Sequence, residues 1–161
     1  MSIIDDEPFF LSDWIPPPCP EILEEELAEQ LIRAIHSSDI QKIQTLIAQG
    51  VNLQFQSDEY DLPIIEAVQL SNTAIIKMLI LAGADVNSTS ESGVAIIAMA
   101  IRRGCLDTVK LLVESGADIH SIDDVEETAL YHAAWQQKQE IYDYLYPLYP
   151  DDEYRQWLEN V

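Results

Sequence analysis

The sequence predicts an all-α solenoid of four helix-turn-helix units with a capping segment at each end. The first observation behind this prediction is a period of 33 residues, which separates Gly50, Gly83 and Gly116. Apolar residues recur at the same step in several columns, such as Ala34, Ala67, Ala100 and Ala133, or Leu46, Leu79, Leu112 and Leu145. Because units of this length cannot bury their apolar faces alone, they are expected to stack in chain order.

Each unit is expected to hold two short helices, and the third unit shows the pattern best. Residues 95–102 are mostly apolar, whereas residues 106–114 place apolar side chains on one stripe. Gly104 is expected to break the chain between the two helices, and Gly116 to end the second in a left-handed conformation. Turn-rich stretches with Ser, Asn, Asp and Thr lie at residues 54–61, 87–93 and 120–127.

Several short motifs repeat with this period. The segments GADVN and GADIH are 33 residues apart, and LPIIEA, AIIAMA and TALYHA recur at the same step. Over about residues 27–150 the chain therefore resembles the ankyrin repeat family, whose corresponding motif is T-P-L-H-x-A. The family's proline is present only as Pro63, its threonine only as Thr128, and no unit has its histidine. The resemblance implies an ankyrin-repeat solenoid with projecting fingers and a groove that contacts partner proteins.

The repeat divides the chain into six predicted segments. They are an acidic N-terminal arm or cap with prolines and aromatic residues (1–26), repeat units at 27–56, 57–89, 90–122 and 123–150, and a C-terminal capping segment (151–161). Phe9, Phe10 and Trp14 lie in the arm, where they either cover the first unit or form a docking peptide for another protein. At the other end, Tyr149 stands where earlier units have glycine, and aromatic residues are expected to close the stack.

The chain is strongly acidic, because 29 Asp plus Glu stand against eight Lys plus Arg and give a formal charge of −21. Nucleic acid and anionic membranes are disfavoured as partners, since both require clustered cations. A protein with a basic surface is the expected partner. Residues 1–26 carry eight acids and no base. Two explanations of the charge remain open, namely solubility and electrostatic steering of a basic partner.

Targeting and chemical motifs do not favour another class of function. The acidic N-terminus and the lack of a long apolar run predict a cytoplasmic protein, which we expect to be monomeric when unbound. His36, His120 and His132 fall at different positions of different units, so neither a metal site nor another cofactor is expected. The repeat places no cysteine near a histidine, and no phosphate-binding loop or nucleophile elbow is present. We therefore expect no enzymatic activity.

The candidate partner-binding residues lie at the fingertips and at the ends of the inner helices, which are the first helices of the units. At the fingertips they are Asp58, Glu59, Tyr60, Asp61, Glu91, Ser92, Val94, Asp124, Val125, Glu126 and Glu127. Along the groove they are His36, Gln69, Leu70, Arg102, Arg103, Trp135 and Gln136. Leu70, the two arginines and Trp135 are the expected anchors, because aromatic and arginine side chains dominate interface energetics. Arg33 and Glu66 share one column in successive units and are expected to pair.

Two functional hypotheses fit these observations. The leading one is a non-catalytic module that binds one specific protein through its concave face and fingers. The alternative is an acidic inhibitor or immunity protein that occludes a cationic enzyme, such as a nuclease or toxin, with carboxylates placed where phosphates would bind. A structural spacer fits less well, because a spacer does not need fingertips that differ from unit to unit.

Overall fold

A computed structural model describes residues 20–120 and 128–149 of the chain. Within these ranges the chain forms eight α-helices: α1 (Pro20–His36), α2 (Ile40–Ala48), α3 (Pro63–Gln69), α4 (Thr73–Leu81), α5 (Ile96–Arg103), α6 (Leu106–Glu114), α7 (Ala129–Trp135) and α8 (Gln139–Leu145). A 3-10 turn (Tyr146–Leu148) follows α8. The β-structure in the same ranges is limited to one isolated antiparallel bridge between Thr89 and Ala95.

The helices are arranged as four hairpins that stack in chain order. The inner helices α1, α3, α5 and α7 contact one another in that order, and each packs against the second helix of its own hairpin. The outer helices α4, α6 and α8 likewise contact in succession. The predicted all-α solenoid of helix-turn-helix units is thus confirmed. No helix in the described ranges combines the length and the apolar character needed to cross a membrane.

The first helix begins earlier than the sequence predicts. Residues 20–26, which the sequence assigns to the N-terminal arm or cap, form the first turns of α1. Proline suits the first turn of a helix because its missing N–H has no partner there in any case. Glu24, Glu25 and Glu26 lie in the second turn of α1 and are exposed to solvent.

Each hairpin turns at a residue in the left-handed backbone region. The four turn residues are Ser38 (φ 54°), Ser71 (φ 54°), Gly104 (φ 74°) and Gln137 (φ 55°), which are spaced by 33. In every unit the next N–H donates to a carbonyl of the alanine column at 34, 67, 100 and 133, over 2.9 to 3.4 Å. This bond completes a Schellman-type helix end. Only Gly104 is recognisable as such a turn from the sequence, since serine and glutamine rarely adopt this conformation.

Replacing Gln137 by glycine is expected to raise the free energy of unfolding by about 0.5–1 kcal/mol. A left-handed conformation costs a non-glycine residue about 1–2 kcal/mol, and the greater freedom of unfolded glycine offsets about 0.4–1 kcal/mol of the gain. Urea-induced unfolding followed by circular dichroism measures the change. Gly104→Ala is the reverse control and is expected to be destabilising, because its Cβ would also lie 3.0 Å from Nζ of Lys138. A loss of stability in Gln137→Gly would contradict the strain argument.

The repeat columns form one continuous apolar core. The leucine column is almost fully buried, with exposed fractions of 1% at Leu46 and 0% at Leu79, Leu112 and Leu145. Small alanines in the inner helices let neighbouring hairpins approach closely, and Ala67, Ala100 and Ala133 are fully buried. Since each hairpin buries its apolar side chains against the next one, stability in this fold is shared between neighbours.

Candidate functional site

The ends of the inner helices form a row along one side of the stack. His36, Gln69 and Trp135 are the last residues of α1, α3 and α7, and Arg102 and Arg103 are the last two of α5. Leu70 and Gln136 follow directly as the helix caps. The sequence period therefore places these candidates in equivalent positions, one unit apart, because the inner helices are stacked in order. We call this set of residues the groove row.

Two apolar members of the groove row are unusually exposed. Leu70 has 47% of its surface exposed and Trp135 has 71%. The Trp135 ring is stacked on Tyr131, with 6.3 Å between the ring centroids and an interplanar angle of 8°. Such stacking holds the indole in one orientation while leaving its other face accessible. Large rigid aromatic groups of this kind lose little conformational entropy when a partner covers them.

A cavity of about 460 Å³ opens between the second and third units. Six predicted residues line it, namely Asp61, Gln69, Ser92, Val94, Arg102 and Arg103. The sequence prediction missed Ser90 and Met99, which also line the cavity. Met99 lies three residues before Arg102 in α5, and this spacing places both on one helix face. Ser90 has no comparable sequence signal, because the backbone of its finger determines its position.

The finger of the third unit is held by its own hydrogen bonds. Ser90 N–H donates to the Val94 carbonyl over 3.0 Å, and Val94 N–H donates to the Ser90 hydroxyl over 3.2 Å. The hydroxyls of Ser90 and Ser92 lie 2.9 Å apart. A bond between fingers also forms, in which Glu91 N–H donates to Oδ1 of Asp61 over 3.3 Å. These bonds hold the finger side of the cavity in place.

The groove between the first and second units is polar. His36 Nε2 lies 2.8 Å from Oε2 of Glu66, whose other oxygen accepts a hydrogen bond from Asp61 N–H over 3.2 Å. The predicted pair between Arg33 and Glu66 is not formed. Arg33 contacts Glu29 instead at 2.6 Å, because a partner one helical turn away is reached without crossing between units. The partner of the Glu66 carboxylate is therefore His36, the histidine at the end of α1.

The acidic fingertip of the second unit projects into solvent. Asp58 and Glu59 are exposed, and Tyr60 is half-buried. A hydrogen bond to Glu59, followed by burial and the charge of that carboxylate, raises the pKa of Tyr60. The Tyr60 ring lies 6.3 Å from the imidazole of His36, so this finger reaches the groove row. The fourth fingertip candidates, Asp124, Val125, Glu126 and Glu127, lie outside the described residues.

His120, His132 and Cys105 do not converge on a chemical site. His132 is buried beside Tyr131, and His120 packs edge-on against Tyr149 with 4.5 Å between ring centroids. Cys105 is half-buried and accepts a hydrogen bond from the Thr108 hydroxyl over 3.1 Å. In residues 20–120 and 128–149 no three His, Cys, Asp or Glu side chains are grouped so as to hold a metal ion.

Comparison with protein families identifies this architecture. A family model described as "Ankyrin repeats (3 copies)" matches residues 31–123 and again residues 64–154. The search of curated proteins finds no match. The two overlapping family matches together extend from residue 31 to residue 154, far more than half of the 161 residues. The stacked hairpins, the 33-residue period and this match agree, and the chain belongs to the ankyrin repeat family.

Proposed function

We propose that this protein is a non-catalytic module that binds one specific protein through its groove row and fingers. Ankyrin repeats act as protein–protein interaction modules. The observation that carries the proposal is the row of exposed Leu70, Arg102, Arg103 and Trp135 along the inner helix ends. Arginine and tryptophan are enriched among the residues that contribute most to interface affinity. A hydrophobic side chain as exposed as Trp135 gains most when a partner covers it.

We further propose that the partner has a basic surface facing the fingers. Asp58, Glu59 and Glu91 are exposed at the fingertips, and the chain as a whole carries a formal charge of −21. A field of this sign accelerates encounter with a cationic protein and disfavours anionic competitors. Exposed charges of this kind act mainly on the association rate, whereas the groove row supplies the buried contacts.

Replacing both Leu70 and Trp135 by alanine is expected to weaken binding of a captured partner at least tenfold. The double change removes two large apolar contacts from the groove row, and each fully buried side chain of this size contributes about 1.5–3 kcal/mol. Affinity is measured by calorimetry with a partner obtained by affinity capture and mass spectrometry. Leu81→Ala is the matched control, since Leu81 is 78% exposed but ends the outer helix α4.

The control variant is expected to bind the partner as the original chain does. Circular dichroism of all three proteins should be the same, which separates lost contacts from lost folding. Unchanged affinity in the double variant would remove the groove row from the proposed binding surface. A loss of affinity in the double variant that only equals the loss in Leu81→Ala would likewise remove the groove row from the proposed binding surface.

The second candidate function is inhibition of a cationic enzyme, and the charge of −21 in only 161 residues favours it. In that case the captured partner is a basic enzyme whose activity stops on binding. We expect such binding to weaken strongly between about 50 and 500 mM salt, because the Debye length falls from near 10 Å at 0.1 M to about 3 Å at 1 M. Affinity that is insensitive to salt over this range would argue against the inhibitor function.

A further inference from the structure

Among the described residues that line it, the cavity between the second and third units carries two positive charges and one negative charge, in an otherwise acidic protein. Arg102 and Arg103 are two of only eight Lys and Arg residues in the chain, and both line the cavity. Both side chains are exposed, and neither forms an ion pair with any residue in the described ranges. By contrast, Arg33 in α1 is paired with Glu29.

Their position at the end of α5 explains part of this arrangement. Cations in the last turn of a helix are favoured by the helix dipole by about 0.3–1 kcal/mol. That interaction does not require both side chains to face a cavity whose other lining residues, apart from Val94 and Met99, are polar. Ser90, Ser92 and Gln69 supply hydroxyl and amide groups that can donate hydrogen bonds beside the guanidinium groups. The combination is that of a site for an anion.

We infer that this cavity binds an acidic side chain, Asp or Glu, from a peptide segment of the partner protein, with its carboxylate against Arg102 and Arg103. The inference rests on the proposed function and specifies the chemistry of its partner. A guanidinium group matches a carboxylate in plane and can donate two parallel hydrogen bonds to it. A basic partner surface can supply such an acidic residue locally, because surfaces carry both signs of charge.

Asp61 limits what the cavity accepts. Its carboxylate forms the wall on the second unit and already accepts a hydrogen bond from Glu91 N–H. A dianionic phosphate or a polyanion in the cavity would be repelled by Asp61 and by the overall negative charge. A single carboxylate placed on the α5 side carries half that charge and is repelled less, and the remaining oxygen of Asp61 can accept a backbone N–H of the same peptide. Two arginines against Asp61 leave one net positive charge among the described lining residues, which matches a monoanionic carboxylate better than a dianionic phosphate.

Trp135 defines the next contact along the groove. It lies one unit beyond Arg102, on α7, which packs directly against α5. Packed helices have axes about 8–10 Å apart, and an extended peptide advances about 3.3 Å per residue. A peptide that places a carboxylate on the arginines therefore reaches the exposed face of Trp135 about three residues away. An apolar or aromatic residue is expected at that position.

The test is selection of peptides from a random ten-residue display library on three versions of the full chain. These are the original protein, R102Q/R103Q, and the charge-matched control K42Q/K77Q, whose substitutions lie on the outer helices α2 and α4, outside the cavity. With the original protein and the control, we expect Asp or Glu to be enriched at least fivefold at one position, with an apolar residue about three positions away. With R102Q/R103Q the enrichment at the acidic position should disappear.

Affinity measurements on the selected peptides complete the test. The best peptide, synthesised with blocked ends, should bind R102Q/R103Q at least tenfold more weakly than the original protein and bind the control within twofold. Circular dichroism checks that all variants fold alike. The inference is overturned if selected peptides lack an acidic position, if R102Q/R103Q selects the same peptides, or if the original protein selects none.

The outcomes also separate this inference from the proposed function. Peptides without an acidic preference that still lose binding in the Leu70 and Trp135 double variant would overturn only the anion site. Failure of every groove substitution to affect a captured partner would overturn the binding module itself. A fourth version, D5N/D6N/E7Q, neutralises three acids of the N-terminal segment. An acidic preference that appears only in this version would assign the cavity to the chain's own N-terminal segment, and would overturn binding to a partner peptide.

Discussion

Replacing Leu79 by alanine is expected to lower the free energy of unfolding by about 2–5 kcal/mol. Leu79 has no exposed surface, and it lies in α4, in the second of the four hairpins. The side chain is therefore surrounded by its own hairpin and by the packing between neighbouring units. Removal of its isopropyl group leaves a cavity that rigid helices on both sides cannot fill. The loss combines the transfer free energy of the removed atoms with the lost packing contacts.

A central position amplifies this effect in a stacked fold. Repeat hairpins have little stability alone and depend on the interfaces with their neighbours. Damage in the second unit therefore weakens its contacts with both the first and the third. Besides a lower midpoint in urea, we expect the unfolding transition of Leu79→Ala to broaden if the two parts of the stack unfold separately.

Leu81→Ala provides the matched control for this prediction. Leu81 is on the same helix and undergoes the same chemical change, but 78% of its surface is exposed. Its replacement is expected to change stability by no more than about 0.5 kcal/mol, as is usual at surface positions. Equilibrium urea unfolding measures both variants. Equal losses in the two proteins, or a loss below about 1 kcal/mol in Leu79→Ala, would contradict the assigned core.

The stacked fold is well predicted from the sequence because each apolar column consists of residues that pack within and between the units. Leu112 and its equivalents in the other units are buried for the same reason. Apolar residues therefore recur every 33 positions, and this period can be seen in the sequence alone. Backbone conformation is harder to predict from the sequence. Ser38, Ser71 and Gln137 adopt the same left-handed turn as Gly104, but tertiary packing and the alanine-column hydrogen bonds impose it against their intrinsic preference.

The 33-residue period is also a poor guide to which side chains pair between units. Residues that share a column, such as Arg33 and Glu66, are equivalent by sequence but need not touch. The observed partner of Glu66 is His36, three residues further along α1, because side-chain contacts depend on the offset between neighbouring helices. For the same reason the groove row is predictable from the period, whereas the inclusion of Ser90 in the cavity depends on the folded finger.

The fourth unit ends differently from the earlier ones, and the 33-residue period alone does not show how. Tyr149 occupies the column of Gly50, Gly83 and Gly116, yet its φ is −99° and only 2% of its surface is exposed. Its hydroxyl donates to the carbonyl of Ile119 and accepts a hydrogen bond from Leu130 N–H over 3.4 Å. The tyrosine therefore joins the end of the fourth hairpin to the segment after the third.

The hydrogen bond from Leu130 N–H also gives a partner to a backbone donor at the start of α7. Leu130 lies in the first turn of α7, where backbone N–H groups have no partner within the helix. Thr128 caps the neighbouring donor of Tyr131 over 3.3 Å, and Tyr149 takes the donor of Leu130. One side chain thus provides an apolar cover, a helix cap and a bond to the preceding unit.

Replacing Tyr149 by alanine is therefore expected to lower the free energy of unfolding by about 3–5 kcal/mol, the usual cost of removing a buried aromatic ring. Tyr149→Phe retains the ring but leaves the Ile119 carbonyl and Leu130 N–H without their hydroxyl partner, at a cost of about 1–3 kcal/mol. Urea unfolding gives both values. Hydrogen exchange should locate the weakening in α7 and α8, because loss of an end contact first releases the terminal hairpin.

Tyr144→Phe is the matched control for the hydroxyl. Tyr144 is half-buried in α8, and its ring lies 5.6 Å from Nζ of Lys110, a contact that phenylalanine also provides. Its change should be within about 0.5 kcal/mol. If Tyr149→Phe were equally mild, the hydroxyl bonds would contribute little and the ring alone would close the stack. If Tyr149→Ala accelerated exchange equally in all four hairpins, the protein would unfold as a single unit, and this residue would stabilise the whole stack instead of its end.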